Sequence, residues 1–143
     1  IVLAGKPAYL LMNIKIRLTV MNFLEFAVWG AYLTSMGIFL AGAGFADKIG
    51  WFYATQGFVS LFMPAVMGIV ADRWIPAEKM LSLCHFMSAL AKIAMGYIGL
   101  TTGGEAFGTL ITLYTLAIGF FMPTLALSNS VAYTALEKTG RTP

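Results

Sequence analysis

Most charged residues fall in short intervals of this chain, and between them run four long apolar stretches. They extend approximately from Leu18 to Ala41, Ile49 to Ala71, Met80 to Leu100 and Phe107 to Ala132. Each is near the roughly 20 residues that an α-helix needs to cross a hydrocarbon core. The intervals carry helix breakers: Gly42-Ala43-Gly44 with Asp47-Lys48, then Asp72 to Lys79 with Pro76, then Thr101-Thr102-Gly103-Gly104-Glu105. Joints this short predict four antiparallel neighbouring helices, an all-α integral membrane bundle. Met63-Pro64 and Met122-Pro123 place prolines inside the second and fourth stretches, where a lost backbone hydrogen bond and a ring clash predict kinks.

Composition makes the membrane reading hard to avoid. Hydrophobic residues form 59% of the chain and charged residues 10%, with a mean hydropathy of +0.83. Soluble domains hold roughly 45–50% apolar and about 25% charged residues, so a soluble fold lacks the polar surface to cover this chain. The net charge of +3 is small and scattered, which argues against nucleic acid as a partner. One Cys and one His exclude a disulfide framework and a Cys/His metal cluster within the chain. The nine Met and eleven Phe read as packing or lipid-facing residues, with no cofactor implied.

The basic residues then orient the spans. Lys6, Lys15, Arg17, Arg73, Lys79, Lys138 and Arg141 fall on one side, and Lys48 alone on the other. Lys and Arg concentrate in cytoplasmic loops, so both ends are expected in the cytoplasm, with the joints holding Lys48 and Glu105 outside. Met12-Asn13-Ile14-Lys15 reads as a natural start with a basic flank, leaving residues 1–11 without an expected structural role. The organisation expected is a cytoplasmic segment at 1–17, the membrane part at 18–138, and a truncated cytoplasmic end at 139–143.

Gly68-Ile69-Val70-Ala71-Asp72-Arg73-Trp74 is the most informative short stretch. A Gly that lets helices approach, then Asp and Arg where the apolar run stops, suits a tight cytoplasmic turn. Its G-x-x-x-D-R spacing resembles the loop between helices 2 and 3 of the major facilitator superfamily. Three stretches sharpen this: Phe26 to Thr34, Phe62 to Trp74 and Met122 to Asn129 together resemble the nucleoside:proton symporter family, over Met12 to about Lys138. Cys84-His85 also sits where that family tends to have the same pair. Ile75, Pro76 and Ala77 replace the second Gly and basic pair of the general superfamily loop, a departure that itself resembles the nucleoside branch.

The resemblance implies a twelve-helix transporter of which this chain supplies the first four helices, with the remaining eight as partners in the full-length chain. Its substrate site lies near the bilayer midplane between two six-helix halves that rock against each other. A nucleoside substrate, a proton gradient in place of any cofactor, and a bacterial inner membrane are implied with it. Much of the substrate recognition, including an Arg-bearing segment of helix 5, is implied to lie beyond Pro143.

Within the chain, intramembrane polar residues are the candidates, because a charge at mid-bilayer costs on the order of 2.5–3.5 kcal/mol on insertion scales. Glu25 is foremost, and Asn22, Trp29 and Tyr32 share its helical face at i−3, i+4 and i+7. Glu25 is expected to contact substrate hydroxyls or carry the coupling proton, and Trp29 to stack on a base; the alternative is hydrogen bonding and packing within the bundle. Gln56, Asn129 and Tyr133 are further pathway candidates, each with interhelical locking as its alternative. Gly68, Asp72 and Arg73 are read as a conformational loop that biases one access state. Lys92, midway along the third span, is expected to face lipid or a neighbouring helix, or to find a carboxylate such as Glu25.

No enzymatic constellation accompanies these residues: Cys84 and His85 are adjacent on one helix and point apart, and Gly103-Gly104 lacks the Lys of a phosphate loop. Other functional classes compatible with four spans are a transporter of another small polar solute, a dimeric multidrug-type exporter with an essential Glu in helix 1, and a non-transporting membrane subunit. The loop at Gly68 argues against the exporter.

Overall fold

The computed structural model describes residues 8–102 and 106–138, with side chains from residue 13 onward. Four long α-helices form the chain: α1 (Ala8–Gly42), α2 (Ile49–Arg73), α3 (Ala77–Thr102) and α4 (Phe107–Glu137). All four are long and apolar enough to span a membrane, as the hydropathy pattern predicts. Helices are the economical solution there, because each satisfies its backbone N–H and C=O groups internally where no water can. α1 begins earlier than expected, since residues 8–11 are helical. Lys6, the stretch Gly103-Gly104-Glu105, Arg141 and the segment 139–143 lie outside the described residues.

The turns follow from particular residues. α1 ends in a Schellman motif: Phe45 N–H donates to the Leu40 carbonyl at 2.8 Å and Gly44 N–H to that of Ala41 at 3.2 Å. The motif needs a left-handed residue between them, and Gly44 supplies it with φ 87°. Phe45 and Leu40, both fully buried, make the apolar contact that usually accompanies this turn. A single 3-10 turn, Ala46–Lys48, then leads into α2. At the other end, Trp74 N–H closes α2 on the Val70 carbonyl, and the Pro76 carbonyl starts α3 by accepting from Lys79 and Met80. Pro64 and Pro123 both lie within unbroken helices.

Short joints do not make every pair of successive helices close neighbours, contrary to expectation. α4 is the hub, packing most extensively on α3 and then on α2, whereas α1 meets α2 at few points. Small side chains explain the α3–α4 closeness: Cys84 and Ser88, one turn apart on α3, are buried, as is Ala117 on α4, and Ser88 Oγ donates to the Ala117 carbonyl at 2.8 Å. In lipid the driving force is close packing and interhelical hydrogen bonding, which small residues permit. Gly99 on α3 lies against the Phe39 ring of α1, where a Cβ would stand 2.5 Å from its nearest carbon.

Gly68 is different. Nothing lies within 4 Å of where its Cβ would be, so the close approach expected there is not made among the described residues. It sits in α2, more than a turn before the helix ends at Arg73, and borders a cleft between α2 and α4.

Two apolar clusters fill the bundle. The larger joins Met36, Leu40, Phe45 and Phe52 to Tyr114, Ile118 and Phe121; the smaller joins Met80, Leu81 and Cys84 to Leu127. Their α4 members leave an interval around Thr124, and their α3 members an interval around Ser88. A polar seam occupies that level.

Candidate functional site

Glu25 lies in α1 about two turns into the apolar stretch that begins at Leu18. Its side chain is only 3% exposed, and the face predicted from spacing turns toward the bundle, with Asn22, Trp29 and Tyr32 half-buried beside it. Two other helices meet its carboxylate. Oε2 is 2.8 Å from Nε2 of His85 on α3, and Oε1 accepts a hydrogen bond from the Thr124 hydroxyl on α4. Thr124 is itself fully buried, and its hydroxyl is also close to the Phe121 carbonyl. A buried carboxylate is tolerable only with such partners, because each supplies part of the solvation that water gave.

His85 completes the pair differently, with a side chain 39% exposed. One edge of the imidazole reaches the buried carboxylate and the other remains accessible. That geometry connects an enclosed acid to the open side of the bundle. Cys84, its chain neighbour, is fully buried, as adjacent helical positions pointing apart require.

Lys92 turns inward, which decides between the alternatives open in the sequence. Its ammonium lies 4.1 Å from the ring centroid of Phe121 and 5.0 Å from that of Tyr32, within cation–π range of both. No carboxylate reaches ion-pair distance from it among the described residues, where the one acid–base contact is Glu25–His85. Phe121 also meets the His85 ring edge-on at 6.1 Å, so one aromatic ring separates the lysine from the acid–imidazole pair.

A second polar group lies one layer away. Tyr32 Oη, Tyr114 Oη and Gln56 Oε1 form a triangle, with Tyr32 to Gln56 at 2.8 Å, Tyr32 to Tyr114 at 2.6 Å and Tyr114 to Gln56 at 3.1 Å. It ties α1, α2 and α4 together. Gln56, Trp29 and Ser60 border a cleft of about 330 Å³ closed by Pro64, Met122 and Leu125. Two buried polar atoms on the Glu25 face, Asn22 Oδ1 and Trp29 Nε1, have no hydrogen-bond partner. Such orphans are uncommon in folded proteins and mark places where a partner group is wanted.

The remaining predicted residues are not brought to this seam. Asn129 and Tyr133 lie on the exposed side of α4. Asp72 and Arg73 are exposed at the end of α2, without an ion pair, where Arg73 complements the negative pole of the helix dipole.

His85, Thr124, Lys92 and Tyr114 belong to the site but were not among the sequence candidates for it. His85 and Lys92 carried a usable signal, being ionisable, in an apolar helix, and seven residues apart on one face. Thr124 and Tyr114 carried none that separates them from the other Thr and Tyr of α4. Among the described residues no group of three His, Cys, Asp or Glu side chains is placed to hold a metal ion.

The sequence was then compared with known proteins. A family model described as nucleoside H+ symporter matches residues 12–142. The xanthosine permease of Escherichia coli (strain K12) is 34% identical over 134 residues, covering 92% of this chain and 31% of that protein. The nucleoside permease NupG of the same organism is 34% identical over 131 residues, covering 90% and 30% respectively. A putative nucleoside transporter, YegT, is 33% identical over 123 residues, 85% of this chain. The chain thus spans about a third of the length of these curated relatives. No solved structure matches it.

Proposed function

The chain belongs to the nucleoside H+ symporter family, and we propose that the protein it contributes to carries nucleosides across a bacterial inner membrane, driven by proton entry. In this reading the chain supplies the first four helices of a twelve-helix major facilitator fold, with both of its ends cytoplasmic, and eight further helices complete the substrate path. The substrate passes unchanged, so no catalytic group is required.

The observation that carries the proposal is the Glu25–His85 pair, an enclosed carboxylate hydrogen-bonded to a half-exposed imidazole within the membrane-length helices. Two ionisable groups in hydrogen-bond contact, one sealed and one partly exposed, form a relay that loads from one side. Thr124 steadies the carboxylate from α4. The cleft at Trp29, Gln56 and Ser60 lies beside this seam, and the indole, with its unpartnered N–H, offers a flat surface and a donor to a nucleobase or ribose. Asn129 and Tyr133 face outward from the four helices and contribute to the path once the other helices pack on them. Asp72 and Arg73 bias the access equilibrium from the membrane edge.

The test is uptake of labelled nucleoside by cells or vesicles carrying the full-length protein, with an imposed pH gradient. Glu25→Gln keeps the size of the side chain, exchanging one acceptor oxygen for an amide donor, but cannot load a proton. Uphill accumulation falls to background in this variant while downhill exchange persists. Undiminished uphill accumulation by Glu25→Gln overturns the role of Glu25.

A further inference from the structure

Lys92 is a half-buried amine within a span that the relay described above does not use. It stands seven residues after His85 on α3, on the same face, and its ammonium is seated on the Phe121 and Tyr32 rings. It leans toward the Glu25 side of the bundle without closing an ion pair. Its charge is therefore held near the acid by aromatic faces rather than by the acid itself.

Charge bookkeeping at the seam gives this placement a consequence. With Glu25 ionised and His85 neutral, the carboxylate and Lys92 sum to zero. Adding the coupling proton to either member of the pair leaves a net charge of +1 in a low-dielectric interior, which is unfavourable. Without Lys92 the order reverses: the empty pair is −1 and the loaded pair neutral. The lysine thus works against loading and in favour of release.

The other groups facing Glu25 do not duplicate this effect. α4 contributes the Thr124 hydroxyl, and the Tyr114 phenol in the adjacent layer; α1 itself contributes Tyr32. From α2 come Gln56, which is not ionisable, and Tyr53, whose hydroxyl donates to the Leu33 carbonyl. From α3 come His85 and Lys92. Lys92 is the one amine of that set.

We propose that Lys92 is a positioning residue for proton coupling, a counter-charge that sets the pH at which the Glu25–His85 pair loads and favours its emptying. The inference rests on the nucleoside–proton symport reading. It predicts that neutralising a side chain that touches neither member of the pair changes the pH response of transport.

The experiment is initial uptake rate against external pH in the full-length protein for wild type, Lys92→Met, Lys92→Gln and Lys92→Arg. The two neutral variants differ in polarity, so either one that reaches the membrane suffices. The expected result is a midpoint moved to higher pH in the neutral variants, by up to about one unit, the low end of what an opposite charge in direct contact exerts. Lys92→Arg keeps the wild-type midpoint, which a purely steric role for the lysine does not predict. A neutral variant with the wild-type midpoint overturns the inference and leaves symport standing. A wild-type rate that is flat with pH overturns the proton-coupled reading itself and the inference with it.

Discussion

α2 and α4 look alike as sequences and behave oppositely as structures. Both are apolar, both contain an interior proline, and their most hydrophobic windows average 1.6 and 1.9 on the hydropathy scale. Yet only 6% of the α2 window is buried inside the bundle, against 56% for α4. α2 places Trp51, Phe58, Leu61 and Phe62 outward, while α4 buries Tyr114, Ile118, Phe121 and Thr124. Hydropathy reports that a segment avoids water, and lipid tails and a protein interior are equally good at that. What separates the two helices is the presence in α4 of small and hydroxyl-bearing residues on the faces that meet α3, α2 and α1.

The contrast can be broken by substitution, and the largest effect is expected in α4. Phe121→Ala removes a fully buried ring that touches Tyr32, His85 and Lys92. We expect a loss of about 2 kcal/mol, the cavity part of a core truncation, since helices already in lipid forgo most of the transfer part. Thermal unfolding in mild detergent reads it as a lowered midpoint. An unchanged midpoint would mean that α4 is not the hub.

Gln56→Leu is expected to cost less, about 1 kcal/mol, because it removes the side chain through which α2 joins the Tyr32–Tyr114 layer. The same melt, compared with Tyr32→Phe, tests whether the two effects are shared, as one hydrogen-bonded layer requires. Smallest of all is Phe58→Ala on the outward face of α2, where the residue is 68% exposed and its ring meets that of Phe62 at a tilt. Its midpoint should stay within about 0.5 kcal/mol of wild type. A large loss there would show that this face of α2 is covered in the assembled protein, which would narrow the contrast between the two helices.

Much of the fold was legible before any coordinates. The four helices, the Gly44 and Pro76 turns and the inward face of α1 all follow from local pattern, which depends on residues a few positions apart. Glu25 was legible as a site because an ionisable group within an apolar run is costly and therefore conspicuous. Its partners were not, because His85 is 60 positions away and Thr124 is 99. Gly68 shows the same limit from the other direction: its spacing suggested a close helix contact, and the contact is made instead at Gly99, beside Phe39. Asn129 and Tyr133, chosen for polarity as Glu25 was, lie on the exposed side of α4. A polar residue in a span must find a partner, but the span does not say on which side.

By itself, then, the sequence determined that this chain forms four membrane-length helices, where they turn, and which acid stands out within them, since all of these are set by composition and periodicity along a single helix. Tertiary structure alone decided that α4 lies at the centre, that Glu25 is held by His85 and Thr124, and that Lys92 turns inward onto two aromatic rings. Those outcomes depend on which helix faces which. In a medium where every apolar surface is equally acceptable, small residues and interhelical hydrogen bonds settle that choice, and they act between positions far apart in the chain.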